Sequence, residues 1–565
     1  MNKQTTSSIT KRYIYILVGV LLLGIVSQIF YKRFDLTQDR RYTLSEITVQ
    51  MLDTISSPIE IEVLLSGKST SEFRRLQQET HQILEEFSSI NRNIQFRFID
   101  PTELDVRADL HEKIRSFQIR PAQVQIKQDG KTQTEIVYPY AFATYEGRSV
   151  SIPLLKNIMG ASSVERIHNS VQNLEYSFVD SFNKLLLPKH KRVAFLKGNN
   201  EIEDRFLADF LITLKEYYFI APFTLHAPEE PSEILNELNT YDLLVVAGPK
   251  KVFSDTHKYL IDQYLMQGGN ILWLGSMNTQ TQHPETDETY IIASDLQITD
   301  MLFKYGVRIN ANVVKDLYSA PIVIASGQER DSQYDRYPWF FYPLVESEST
   351  HPITTNIEAI KFEYASSIDT LPNQTKKTIL LATSPLSKSH GLPYPVDLNK
   401  EITESLEIIN EGPNQANFGY KPMALAVLLE GPIESAYHNR IKPIKWKNWK
   451  DISETQDGKL LVVSDESIIK NQMDGERPLE LGFDKWTNSY YGNKEFLLNS
   501  VNYMLDDNGL IALRSKTIVI PFLDSQRSIE QRRMWQYINL LIPLVALSIF
   551  GILISFARKR KYVRE

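Results

Sequence analysis

The chain has no cysteine in 565 residues. That excludes disulfides, thiolate nucleophiles, thiolate zinc sites and cysteine-held iron–sulfur clusters. It leaves the redox compartment open, because a chain without thiols is indifferent to it. Other signatures are missing too. No G-x-S-x-G marks a hydrolase nucleophile elbow. The ten histidines are scattered, with no H-E-x-x-H or other close metal pair. Ser66-Gly67-Lys68-Ser69-Thr70 stands between a strand and a helix, where a phosphate loop would stand. The glycine such a loop needs is replaced by Glu62, whose carboxylate would repel phosphate. A turn with a Ser or Thr helix cap is the better reading. No cofactor is expected. Neither charge is in large excess, with 62 basic and 69 acidic residues and a net −7. That mild acidity argues against nucleic acid as a partner.

What is present is unevenly placed. Residues 1–41 carry +5 and residues 527–565 carry +6, which leaves −18 on residues 42–526. The basic ends enclose apolar runs. Tyr13 to Phe30 holds no charge in 18 residues, with Lys11 and Arg12 before it and Lys32 and Arg33 after it. A bilayer core of ~30 Å needs about 20 apolar helical residues, so this run can just span. It ends in SQIFYKR, without the small-x-small site of a cleaved signal peptide, so an uncleaved anchor is expected. Ile538 to Phe556 is a second uncharged run, with Trp535 and Tyr537 at one edge. Arg558, Lys559, Arg560 and Lys561 follow it. Two spans put both termini on one side. The compact basic tail favours termini in the cytoplasm and an acidic body in the periplasm.

Periodicity divides the body. Thr43-Leu-Ser-Glu46 reads as a capping box opening a helix to about Thr54. Ile59–Leu65 and Ile94–Ile99 read as strands around a helix carrying Phe73, Leu76, Leu84 and Phe87. Strand-like segments at Gln123–Lys127 and Thr134–Val137 straddle the turn pair Asp129-Gly130. A small α/β domain over 40–158 follows, then a long amphipathic bridging helix over 160–188. A second α/β series fills 189–515. Val193–Leu196, Leu243–Ala247, Ile271–Leu274 and Leu460–Ser464 alternate with helices, which implies a parallel sheet covered on both faces. The pattern loosens over about 276–455, read as an insertion. Spans are expected at 13–31 and 535–557, a cytoplasmic N-terminus at 1–12 and a basic tail at 558–565.

Three places could carry chemistry. Asp465 follows an apolar strand, and ligands of open α/β sheets gather at strand carboxyl ends. Lys197-Gly198-Asn199-Asn200 ends another strand in the same way. For both, the plainer alternative is a cap or loop residue. The aromatic run from Tyr334 to Pro343, with Trp339 and Phe340 at its centre, could form a ligand or partner platform, or a local core.

Several segments together resemble one family. RFDLTQDRRYTLSEIT (33–48), DLLVVAGPKKVFSDTHKYLIDQYLMQGGNILWL (242–274), LLVVSDESIIKNQM (460–473) and GNKEFLLNSVNYML (492–505) are similar to the gliding-motility-associated, GldG-like auxiliary subunits of ABC transporters in Bacteroidetes. The resemblance covers nearly the whole chain. It implies a thioredoxin-like first domain without the CxxC pair. It also implies an amidotransferase-like (GIFT-type) second domain put to non-catalytic use. By the same resemblance the chain is no enzyme but an accessory, substrate-binding subunit in the cytoplasmic membrane. Its partners are a permease subunit and a separate ATPase subunit. The substrate stays unknown, and a stand-alone periplasmic glycan or peptide receptor is the alternative.

Overall fold

A computed structural model describes residues 43–562 apart from 66–69, 102–107, 118, 120, 129–130, 157–161, 226–230, 283–287, 327–332, 348, 414–417, 420, 445–450, 507–508 and 516–530. The first apolar run, with Lys11, Arg12, Lys32 and Arg33, lies outside the described residues, as does most of the Ser66–Thr70 turn. The chain divides into a body and a C-terminal unit from Ile518 on.

The body begins with a short helix, α1 (Glu46–Asp53). Its N-cap is Ser45, whose hydroxyl accepts from the Thr48 backbone at 3.1 Å. The cap is therefore Ser45 and not the expected Thr43, and its own N–H goes to Glu175 instead of to a residue of the helix. The next elements are β1 (Ile59–Val63), α2 (Ser71–Ile90), β2 (Ile94–Phe98), α3 (Ala108–Ser116), a hairpin of β3 (Ala122–Gln128) with β4 (Lys131–Val137), and β5 (Tyr140–Tyr145) with β6 (Arg148–Pro153). Four of these strands form one sheet in the order β2-β1-β5-β6. β1 and β2 run parallel, and β5 and β6 return antiparallel. Thr70 caps α2, in line with the Ser or Thr cap reading of this turn.

Glu62 and Phe142 are register partners and share one face of this sheet. α3 covers that face: Leu110 packs with Phe142, and Lys113 donates to Glu62 at 3.0 Å. α4 (Ser163–Leu186) opens with a complete capping box between Ser162 and Glu165. It packs against α2 through Phe87, Phe178 and Phe182, whose ring centroids lie about 6 Å apart.

The second series follows as β7 (Arg192–Lys197), α5 (Asp204–Tyr217), β8 (Phe219–Thr224), α6 (Pro231–Leu238), β9 (Leu243–Ala247), α7 (Asp255–Met266) and β10 (Asn270–Leu274). The chain continues through β11 (Asn278–Gln282), β12 (Thr289–Ala293), α8 (Thr299–Tyr305), β13 (Val307–Ile309), β14 (Asn312–Asp316), β15 (Ser319–Ser326), β16 (Gln333–Val345), β17 (Ile360–Lys361), β18 (Ile368–Thr370), β19 (Lys376–Ala382), β20 (Ser387–Gly391), β21 (Tyr394–Val396) and α9 (Leu398–Glu411). It closes with β22 (Ala424–Glu434), β23 (Glu454–Val463) and α10 (Asn493–Leu505).

The central sheet has nine strands in the order β13-β18-β22-β23-β10-β9-β7-β8, with β19 also on β22. Strands β8, β7, β9, β10 and β23 are mutually parallel. The rest are antiparallel. The sheet is therefore mixed, not purely parallel. Residues 276–455 are not wholly an insertion, because they supply β13, β18, β19 and β22 to this sheet. Side chains alternate between two cores: Ala194 and Leu196 join one under α7, while Val193 and Phe195 join the other under α5 and α10.

The C-terminal unit holds one long helix, α11 (Arg532–Tyr562), with Pro543 inside it. Within it, Arg532–Arg560 is long and apolar enough to cross a membrane: its most apolar 18-residue stretch has a mean hydropathy of 2.6, and its apolar side chains are exposed. It is the one such helix among the described residues.

Candidate functional site

Taken in chain order, the five parallel strands form the doubly wound arrangement 2-1-3-4-5, with β7 first. Its switch point lies between β7 and β9, where neighbouring connections depart in opposite directions and leave a crevice at the strand ends. The turns there are Lys197–Asn200, Gly248–Lys251, Gly275–Ser276 and Ser464–Glu466.

The crevice is closed by the chain itself. Gly198 and Asn200 both take positive φ, at +117° and +57°, so the β7 turn folds back sharply. Asn199 is then buried, and its carbonyl accepts from Lys250 N at 2.8 Å and Lys251 N at 2.9 Å. Its own N–H donates to Glu201 Oε2 at 2.9 Å. Lys197 reaches Asp204 at 2.6 Å and the Ile202 carbonyl at 2.9 Å.

Glu466 fills the centre. It accepts from Lys250 Nζ, from Ser276 Oγ at 3.0 Å and from Ser276 N at 3.2 Å. Gly248, at φ +63°, permits this approach, because a Cβ there would meet Glu466 Cβ and Ile202 Cγ1 at 3.0 Å. Burial works to raise the Glu466 pKa, but the Lys250 and Lys470 ammoniums outweigh it and hold it below the usual carboxylate range.

Asp465 points to the other side of this turn. It accepts from Glu363 N at 2.6 Å, Ser467 N at 2.7 Å and Ser467 Oγ at 2.6 Å. Burial, with Glu466 beside it, pushes its pKa up to about 7. It ties a short 3₁₀ turn, Ser467–Ile469, to the segment before β18. That matches the cap-like alternative for Asp465. Asn199 and Asp465 therefore lie at one sheet edge, each satisfied by neighbouring backbone. The missed residues are Glu466, Lys250 and Gly248. Their signal was adjacency to the apolar runs LLVVA and LLVVS.

The aromatic segment lies elsewhere, on β16. Trp339 and Phe340 are each only 4% exposed. Trp339 joins Ile291, Val313 and Phe341, and its indole N–H meets the Tyr364 hydroxyl at 3.3 Å. Phe340 points the other way, against Ile408 and Phe418. Alternation along a strand covered on both sides buries both rings. Of the two alternatives for this run, a platform or a local core, the burial of these two rings fits the core.

Chemically the sheet edge offers a serine hydroxyl next to a glutamate, held by a lysine. No histidine or cysteine takes part in these contacts. Among the described residues no group of three or more histidine, aspartate or glutamate side chains could hold a metal ion.

Comparison with known proteins decides the family. Residues 190–500 match an ABC-transporter auxiliary family, described as an ABC-type uncharacterized transport system. The chain belongs to that family. The match takes in the whole nine-stranded sheet and its closed edge, so this auxiliary chain is an accessory, transport-associated protein linked to an ABC transporter. Residues 38–144 match a domain of unknown function. An uncharacterized protein of Borreliella burgdorferi is 20% identical over 536 residues, covering 94% of each chain. The mmIFT52 N-terminal domain aligns with 56% of this chain and 98% of its own at 13% identity, with a TM-score of 0.31, a likeness too slight to describe the fold.

Proposed function

We propose that the auxiliary chain is a non-catalytic subunit, anchored in the cytoplasmic membrane, that serves an ABC permease and a separate ATPase subunit. The observation that carries the non-catalytic part is the Lys250–Glu466 bridge, which fills the switch-point crevice where a ligand of such a sheet would bind. Family membership supports the transporter partner. The apolar helix Arg532–Arg560 supports the anchor, and Tyr13–Phe30 is its sequence counterpart at the other end. On this reading the chain crosses twice, with both termini cytoplasmic and the acidic body periplasmic. Arg558, Lys559 and Arg560 then hold the last span at the inner face. The β2-β1-β5-β6 sheet, flanked by α2, α3 and α4, supports a thioredoxin-like first domain. The switch-point arrangement supports an amidotransferase-like second domain without its nucleophile.

A place in gliding motility and a substrate-binding role rest on the sequence resemblance. Asn199 and Asp465 are proposed as parts of the partner-facing edge, acting through the backbone they fix. Affinity purification of the tagged chain from native membranes tests the reading. A permease and an ATPase subunit should co-purify in fixed ratio. Recovery of the chain alone from gently solubilised membranes would remove the subunit assignment.

A further inference from the structure

We infer that the corner of the body around Leu187–Arg192 is its membrane-contact surface, seated on anionic phospholipid headgroups. The inference rests on the membrane reading above and adds which face meets the bilayer and by what chemistry.

Both ends of the described body converge on α4. At the start, Ser45 N donates to Glu175 Oε1 at 2.8 Å and Thr48 Oγ1 donates to the same oxygen at 2.7 Å. A buried carboxylate on α4 thus holds the first turn of α1. At the end, Gly509 comes so close that an added Cβ would lie 3.6 Å from Ile47 Cδ1. The turn Leu510–Ser515 then passes beside the C-terminal half of α4. Leu510, Ile511 and Leu513 share a small cavity, about 100 Å³, with Val179, Leu187 and Pro188. Residues 516–531 then connect this turn to the apolar helix. Both ends of the described body therefore lie along the second half of α4, and in sequence the apolar runs stand just outside them.

The same corner departs from the charge of the body around it. Residues 181–192 hold Lys184, Lys189, Lys191 and Arg192 and no acid, within a region that carries −18. Acids approach from neighbouring elements: Asp180 and Glu216 pair with Lys184, and Asp242 pairs with Lys191 at 3.4 Å. Lys189 and His190 remain exposed beside Leu187, a leucine 41% exposed. An exposed leucine next to lysines suits the interface, where the apolar group enters the headgroup boundary and the ammoniums meet phosphate. Lysine stems can lie along the apolar layer while their heads stay in water.

The test uses the full chain in vesicles and exploits the absence of native cysteine. Leu187→Cys carries a fluorophore, and Ile441→Cys, at a position 97% exposed, is the reference. Ile441 follows Tyr437, which packs on the opposite face of the central sheet from Leu505 at the corner. A headgroup-attached quencher in phosphatidylglycerol-containing vesicles should quench the label at 187 at least about twofold more than at 441. High salt and the pair Lys189→Glu with Lys191→Glu should shrink that difference. Equal quenching at both positions, or an unchanged difference on purely zwitterionic vesicles, overturns the inference. Release of the full chain from vesicles by alkaline carbonate would instead remove the anchor itself, and the contact surface with it.

Discussion

Lys250 and Glu466 join the end of β9 to the end of β23 across β10. Their bridge stands where a doubly wound sheet usually admits a ligand. Glu466 is nearly buried, whereas Lys250 is partly exposed. Removing the lysine alone leaves a carboxylate with the Ser276 hydrogen bonds and the Lys470 ammonium nearby, but without its direct ion-pair partner. Lys250→Met should cost about 1–3 kcal/mol, the range for an orphaned buried group. Glu466→Gln should cost less, because its amide oxygen can keep the Ser276 bonds. A double-mutant cycle read by urea unfolding should return a coupling of at least about 0.5 kcal/mol. Additive effects would show that the bridge does not hold the edge together.

Asp465 gives a pH signature with a definite sign. Its folded pKa, about 7, lies above its unfolded value, so ionisation disfavours the folded state. Well below the unfolded value of ~3.9 the group is neutral in both states and contributes nothing. From there to about pH 7 the unfolded chain ionises first and stability falls; above pH 7 the loss is complete. Asp465→Asn removes this slope. The variant's unfolding midpoint, relative to the parent, should rise between pH 4.5 and pH 8. A constant difference across that range would place the titration elsewhere.

Trp339 and Phe340 should behave as core residues. Each is fully enclosed, so replacement by alanine leaves a cavity and should cost about 3–5 kcal/mol. Thermal unfolding of each variant checks this. Variants that keep the parent's melting temperature would return these rings to a binding role.

These rings show where the sequence stopped being legible. A strand buried on both faces and an exposed platform give the same dense aromatic run, because burial on the second face comes from α9 and distant strands. Likewise LLVVA and LLVVS announced buried parallel strands plainly, since period and apolarity are local. The partners of Asp465 were not local: Glu363 stands 102 residues before it in the chain. Lys250 and Glu466 lie 216 residues apart, and nothing in either segment names the other. Of the antiparallel strands, β19 and β22 are legible as isolated apolar segments at Ile379–Ala382 and Ala424–Leu429, whereas β13 and β18 have three residues each, too few to show a period. The Ser45 cap was missed because its acceptor network includes Glu175 on α4.

Glu62 should give the acid limb that Asp465 does not. Burial works to raise its pKa, but Arg97 and Lys113 outweigh that and hold it below the usual range. Its contribution is therefore present above about pH 4.5 and lost as pH falls through the lowered folded value. Glu62→Gln should cost about 1.5–3 kcal/mol near neutrality, the range for hydrogen bonds to a charged group. In urea unfolding the gap between variant and parent should close as the pH drops toward 3. A gap that persists there would show that Glu62 acts through packing and not through its charge.

Glu175 tests whether the two ends of the body are held as one. Its carboxylate takes both the Ser45 N–H and the Thr48 hydroxyl, so it does for α1 what a cap residue normally does from within the helix. Glu175→Ala removes both bonds and should cost about 1–2 kcal/mol, the scale of a lost cap. Because α1 has only eight residues, the loss should fall mainly on it. Hydrogen exchange should therefore quicken across Glu46–Asp53 and leave β7 and β9 unchanged. Glu175→Gln, whose amide oxygen can still accept from both donors, should stay closer to the parent than Glu175→Ala. Uniform exchange throughout the body in both variants would mean that α1 is held by Leu52 and its apolar neighbours, and that the carboxylate is dispensable.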